Sequence, residues 1–218
     1  PDPVTRREGP LPDAFVLLPT LLGDEGALAG LRGAVTSVLG NGYPGRLRVC
    51  VALDDAGRVP ALAEALESWV RGLDAGPDAE VSVCGVPRRV GKAMAMELAL
   101  AHEEAVLRAA RRPFPPVFFN LDADSELGPR ALERMALRLV TPRGPFQERP
   151  FIVTSNVVIR KAHYWKGWRH FCTVPGQLAI QAAREFTNSI SIGRHTARLI
   201  PVTSVSGALY CTWSTLHH

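Results

Sequence analysis

The apolar and polar positions of this chain follow two periods, and the places where one gives way to the other mark out its elements. "AFVLLPT" (14–20) is a short apolar run ended by proline and reads as a buried strand. "GALAGLRGAVTSVLG" (26–40) then repeats apolar residues at helical spacing and stops at Gly40. "RLRVCVALDD" (46–55) predicts a second strand running into two aspartates, and "VPALAEALESWVRGLDAG" (59–76) a helix with Pro60 in its first turn and glycine at its end. "AEVSVCGV" (79–86) predicts a third strand, followed by a Gly-Lys loop and a long helix over 91–112 rich in Ala, Leu, Met and Glu. "PPVFFNLDAD" (115–124) predicts a fourth strand that ends on acids, and Pro129 opens a helix through about Val140. Strands alternating with helices of this length predict an α/β protein, with a mostly parallel central sheet, helices on both faces and right-handed crossovers.

Beyond residue 140 the pattern changes. "PFIVTSNVVI" (150–159) is β-rich, "HYWKGWRHF" (163–171) is a basic aromatic cluster, "GQLAIQAAREFTNSI" (176–190) reads as helix, and "ARLIPVTSVSGALYCTW" (197–213) returns to strand and loop. This last third reads as an addition that closes one side of the sheet. The aromatic cluster is expected to pack on the core or on a membrane interface rather than to stack nucleic-acid bases, because Trp and Tyr favour half-wet positions.

Composition narrows the class without choosing a function. The chain of 218 residues is 46% hydrophobic and 21% charged, with its 18 Pro and 19 Gly spread along its length. That is the profile of a globular domain rather than a disordered one. No run approaches the roughly 18–20 apolar residues that cross a bilayer, and "PDPVTRREGPLPD" lacks the apolar core of a signal peptide. A soluble chain is expected. A net charge of +4 fits an anionic ligand or an acidic surface and decides little. Cys50, Cys84, Cys172 and Cys211 share no C-x-x-C spacing, which predicts a reducing compartment and no structural zinc.

The Gly-Lys pair in "CGVPRRVGKAMAM" is not a Walker loop. Five residues separate Gly85 from Gly91, and Ala93 stands where the Mg²⁺-binding hydroxyl is needed. The acids carry more. Asp122 and Asp124 are one residue apart, so on an extended backbone both carboxylates project from one face and repel unless a cation lies between them. Hard oxygen ligands suit Mg²⁺ or Mn²⁺ with phosphate oxygens completing the shell. The alternative is that Asp124 or Ser125 caps the helix near Pro129. Asp54 and Asp55 end another strand, Lys92 follows a third, and Thr20 with Asp24 and Glu25 follows the first. Four consecutive strand ends thus carry polar groups suited to a nucleoside diphosphate, and ligands of open parallel sheets sit beyond those ends.

At these residues the chain resembles glycosyltransferase family 2, inverting sugar transferases with the glycosyltransferase A fold, over roughly residues 13–216. "VLLPTLLGDE", "SVLGNGYPGRLRVCVALDDAG", "RRVGKAMAMELAL" and "NLDADSELGPRALERM" are similar in order and spacing to that family's successive strand-end motifs. "VSGALYCTW" resembles the Ser-Gly acceptor-side loop of its processive, membrane-embedded members, the cellulose, chitin and hyaluronan synthases. The resemblance implies a single Rossmann-like glycosyltransferase A domain over 13–218 after a tail of residues 1–12. Within it, 13–140 would bind the nucleotide-sugar and 141–218 would face the acceptor. It implies that Asp54 or Asp55 accepts hydrogen bonds from the base, a uracil for a UDP-sugar, with Thr20 and Glu25 flanking base and ribose. Lys92 would lie near the diphosphate, Asp122 would face ribose or donor sugar and share metal binding with Asp124, and Ser206 and Gly207 would border the acceptor pocket. The implied partners are a nucleotide-sugar donor, Mg²⁺ or Mn²⁺, and a glycan or lipid-linked acceptor, but no nucleic acid. The implied location is the cytoplasmic face of a membrane, reached through segments outside these residues.

Two departures from the family qualify this expectation. The arginine that follows its Ser-Gly loop falls near Trp213. Its catalytic base, in a Glu-Asp or Thr-Glu-Asp motif, and its Gln-x-x-Arg-Trp sequence are not reached before His218. The chain is therefore expected to be truncated or to have lost segments, and no base is assigned. A sugar-phosphate nucleotidyltransferase is the rival enzyme, disfavoured by a first loop, "PTLLGDEGAL", with only scattered glycines. A non-catalytic nucleotide-sugar-binding remnant is the rival without chemistry.

Overall fold

The computed structural model of the chain describes residues 11–141, 152–154 and 209–214. Strands β1 (Ala14–Leu21), β2 (Leu47–Asp54), β3 (Ala79–Gly85) and β4 (Val117–Leu121) are linked by helices α1 (Glu25–Leu39), α2 (Pro60–Arg71) and α3 (Lys92–Ala109). Helix α4 (Ala131–Val140) and strands β5 (Ile152–Thr154) and β6 (Leu209–Trp213) follow. The six strands form one sheet in the order β3-β2-β1-β4-β6-β5. The first four are parallel, and β6 runs antiparallel to both β4 and β5. The α/β class expected from the periodicity is the class observed, and these elements lie in one compact unit of the chain.

Alternation along the strands sorts the core into two layers. Val16, Leu18, Val49, Val51 and Phe119 face one way and meet Leu28, Leu31, Leu66 and Leu132 of α1, α2 and α4. Phe15, Leu17, Cys50, Ala52 and Phe118 face the other way and meet Ala99 and Met96 of α3. A sheet covered on both faces reads as continuous apolar runs, which is why β1 and β2 show no polar alternation. Each fully buried large side chain contributes roughly 1.5–3 kcal/mol relative to exposure. The thiols share this character: burial first, and Glu103 second, push the Cys84 thiol above its ordinary range, so it behaves as a small protonated hydrophobe.

Three boundaries differ from expectation for local reasons. Helix α2 ends at Arg71 rather than near residue 76, because Asp74 accepts the Gly76 N–H at 3.0 Å and Gly76 takes φ 78°, a side-chain-closed turn that competes with helix. Helix α3 stops at Ala109, before Arg111 at φ 54°. Strand β4 ends at Leu121, not at residue 124, because the Asp122 C=O accepts the Ser125 N–H at 3.0 Å and closes a turn.

At the amino ends of the strands a charged network fixes α3 on the sheet. Glu103, only 1% exposed, accepts from the Arg48 guanidinium and from the Ser82 hydroxyl at 2.6 Å. Arg48 also pairs with Glu80, which accepts from Arg112 at 2.6 Å. Removing one partner of a buried pair leaves the other charge poorly compensated. Glu103→Ala is therefore expected to lower unfolding free energy by about 3 kcal/mol, read from the denaturant midpoint. The Arg112 hydrogen bond, ahead of its charge and that of Arg48, holds the Glu80 carboxyl below the ordinary range. A carboxyl lowered in the folded state stabilises above its unfolded value, and that contribution fades as pH falls through the folded value. The Glu80 carboxyl, followed by NMR, is expected to titrate low in the wild type and higher in Arg112→Ala.

Candidate functional site

The strand order changes direction at β1. From β1 the chain moves through α1 and α2 out to β3, then returns through α3 to β4 on β1's other side. With crossovers of one hand, the return must lie on the opposite face, and α3 is the helix found there. The two loops leaving β1 and β4 consequently diverge, and the crevice between them is where open α/β sheets hold ligands. The β1–β4 ladder stops at Leu17 opposite Asn120, whereas β1–β2 continues to Leu21 opposite Asp54. Pro19, which has no N–H to give, lies just beyond the point where the shorter ladder stops.

The residues expected from the sequence gather at this carboxyl edge. Thr20 is half-buried near the end of β1, and Glu25 is exposed as the first residue of α1. Asp24, grouped with them by sequence, is the α1 N-cap, its carboxylate accepting the Ala27 N–H at 2.8 Å. Lys92 is the first residue of α3, and its Nζ lies 2.5 Å from Oδ1 of Asp122 at the end of β4. Side-chain exposures of 54% and 30% leave this pair within reach of solvent and solutes. Asp54, by contrast, is 5% exposed, and its oxygens accept the N–H groups of Val90 and Gly91, each at 2.9 Å. Asp55 is half-buried in the left-handed region at φ 60°, which short polar side chains tolerate.

The metal-binding expectation needs one correction. Asp122 and Asp124 lie on a turn rather than an extended strand, so pleat alternation does not place their carboxylates on one face. Nor does Asp124 or Ser125 cap the next helix: Asn41 does so from a distance, its Oδ1 accepting the Leu132 N–H at 2.9 Å. Asp124 is exposed. Among the described residues no three His, Cys, Asp or Glu side chains converge as a ready metal cluster. Two carboxylates on one turn still suit Mg²⁺ or Mn²⁺, which commonly take one or two protein carboxylates and complete the shell with phosphate oxygens and water.

The helix starts differ in a way that directs an anion. The N-terminus of α1 is closed by the negative Asp24, whereas Gly91, the N-cap of α3, offers no side-chain acceptor and is followed by Lys92. Because the Asp54 carboxylate already takes the Val90 and Gly91 amides ahead of α3, what sets the α3 start apart from that of α1 is the exposed Lys92 ammonium, a positive charge that favours an anion there. A cavity of about 520 Å³ lined by Arg48, Leu73, Asp74, Gly76, Glu80 and Ser82 lies at the amino end of β3, away from this chemistry, so the site is an open crevice rather than that hollow.

Sequence periodicity missed the groups that hold the acidic turn. Ser37 donates to Ala34 O and accepts the Leu127 N–H at 3.1 Å, and Asn41, 5% exposed, also donates Nδ2 to Gly128 O at 2.9 Å. Both lie in "SVLGNG", about ninety positions from the loop they brace, so local spacing carries no trace of the pairing. Ser206 and Gly207 fall outside the described residues, as do "HYWKGWRHF" and the expected helix at 176–190.

No family model matches the chain, and no curated protein matches its sequence. Solved structures align at low identity. The mannosyltransferase PcManGT from Pyrobaculum calidifontis, in complex with GDP-Man and Mn²⁺, shares 18% identity over 64% of this chain and 37% of its own, with a TM-score of 0.40. GalNAc-T7 with UDP, GalNAc and Mn²⁺ shares 20% over 55% of this chain and 19% of its own, with a TM-score of 0.32. Apo mouse xyloside xylosyltransferase 1 shares 14% over 92% of this chain and 67% of its own, with a TM-score of 0.38. The chain thus spans little more than a third of the first of these and about a fifth of the second. At such scores the likenesses decide nothing about the chain, whose fold class rests on its own sheet.

Removing the Asn41 brace leaves the buried Leu132 N–H without its partner and takes one from the Gly128 C=O. Asn41→Ala is expected to cost about 1–3 kcal/mol of stability by chemical denaturation and to speed amide exchange at Leu132.

Proposed function

We propose that the chain is the donor-binding core of a nucleotide-sugar-dependent glycosyltransferase that moves a hexosyl group, from a UDP-sugar, to a glycan or lipid-linked acceptor with inversion. The observation that carries this reading is the lysine–carboxylate pair Lys92–Asp122 at the switch-point crevice, with Asp124 exposed two residues further on. A cation with a diphosphate is the ligand whose charges answer both sides of such a pair.

In this reading Asp122 and Asp124 hold Mg²⁺ or Mn²⁺, which supplies Lewis-acid neutralisation of the leaving diphosphate. Lys92 exchanges Asp122 for a phosphate oxygen, adding a point charge where negative charge develops as the C1–oxygen bond breaks. The acceptor hydroxyl oxygen bonds to C1 from the opposite face, and its proton passes to a general base. Thr20, Glu25 and Asp55 border the nucleoside. The Asp24 cap argues against the nucleotidyltransferase alternative, because it puts a carboxylate where a first-loop phosphate cradle needs open amides.

UDP is expected to raise the melting temperature only with Mn²⁺ or Mg²⁺ present, by the equivalent of about 2.7 kcal/mol at a concentration of 100 Kd. Asp124→Ala should erase the metal-dependent part, and an undiminished shift in that variant would sink the assignment. UDP release from UDP-sugars, rather than pyrophosphate release from UTP with a sugar phosphate, is the companion reading of reaction class.

A further inference from the structure

Resting on the diphosphate reading above, we infer that Asp54 is a positioning residue for Lys92, and that its contribution to nucleotide affinity passes through the phosphate end rather than the base. The last residue of β2 holds both of the amides that precede Lys92, Oδ1 accepting from Val90 and Oδ2 from Gly91. The backbones beside it are clamped together: Val86 N–H donates to Leu53 O at 2.8 Å, Ala56 N–H to Val86 O at 2.8 Å, and Gly57 N–H to Pro87 O at 3.1 Å. The approach is so close that a Cβ on Gly57 would lie 2.5 Å from Pro87 O. Past the clamp the chain turns through Gly91 at φ 90° and ψ 156°, a conformation essentially reserved for glycine, and α3 begins at once with Lys92. The Asp54 carboxylate therefore decides where that helix starts and where its lysine stands.

The same geometry separates the two neighbouring aspartates. Asp54 has both oxygens on backbone amides and is almost entirely out of solvent, which leaves little of it for a base edge. Asp55 is more exposed, and its left-handed backbone turns its side chain away from the pleat that aims Asp54 at the loop.

Asparagine at position 54 can accept from one of the two amides but presents a donor to the other. In the unliganded protein, Asp54→Asn is expected to speed amide exchange at Val90 and Gly91 by roughly tenfold or more, the scale of a lost charge-assisted bond. UDP with Mn²⁺ should bind Asp54→Asn and Lys92→Ala each roughly ten- to a hundredfold more weakly than wild type. The double variant should be no worse than Lys92→Ala alone, and uridine, which has no phosphate, should bind all four proteins equally. Losses that add, or a matching loss with uridine, would show that Asp54 meets the base and overturn the inference. Unchanged exchange at Val90 and Gly91 would overturn it without any ligand. If wild type binds no UDP with Mn²⁺, the diphosphate reading falls and takes this role with it, while the exchange rates still report whether the loop is held.

Discussion

The reversal of strand order at β1 is the constraint from which the rest follows. Because β2 and β4 both pair with β1, the chain has to leave β3, pass the two strands β2 and β1 and descend on the far side. Crossovers of one hand put that return on the face opposite α1 and α2. Helix α3 is accordingly long, covers the second core layer of Phe15, Leu17 and Phe118, and begins at the carboxyl edge where the sheet opens. The meeting of Lys92 with Asp122 is a consequence of this route: residues thirty positions apart come together because the helix between them must span the sheet.

The fold was legible because its signals are local. Continuous apolar runs, helical spacing and Gly or Pro stops placed β1 to β4 and α1 to α4 within a few residues, and errors arose where a turn closed early, through the Asp74 side chain after α2 and through the backbone bond from Ser125 N–H to Asp122 C=O after β4. The acids of the crevice were legible for the same reason, since each stands at a strand end. What those acids do was not. Asp24, Asp54 and Asp122 look alike in sequence, yet one caps a helix, one grips a loop and one pairs with a lysine. Their roles depend on partners 3, 36 and 30 positions away, respectively, and only the shortest of those separations leaves a pattern that can be read along the chain.

The two ends of the sheet use charge in opposite ways. At the amino end Glu103 is sealed between Arg48 and Ser82, so its charge is compensated by fixed protein groups and serves to lock α3 in place. At the carboxyl end Lys92 and Asp122 compensate each other while remaining open to water, and an exposed ion pair of this kind is worth on the order of 0–1 kcal/mol. Such a pair costs little to break. A ligand that brings its own cation and its own anion can therefore replace both halves of it without opposing the fold, because α3 is held by Glu103 at one end and by the amides gripped by Asp54 at the other. A firm mounting for Lys92 and a readily broken ion pair are thus supplied by different residues on a single helix and its leading loop.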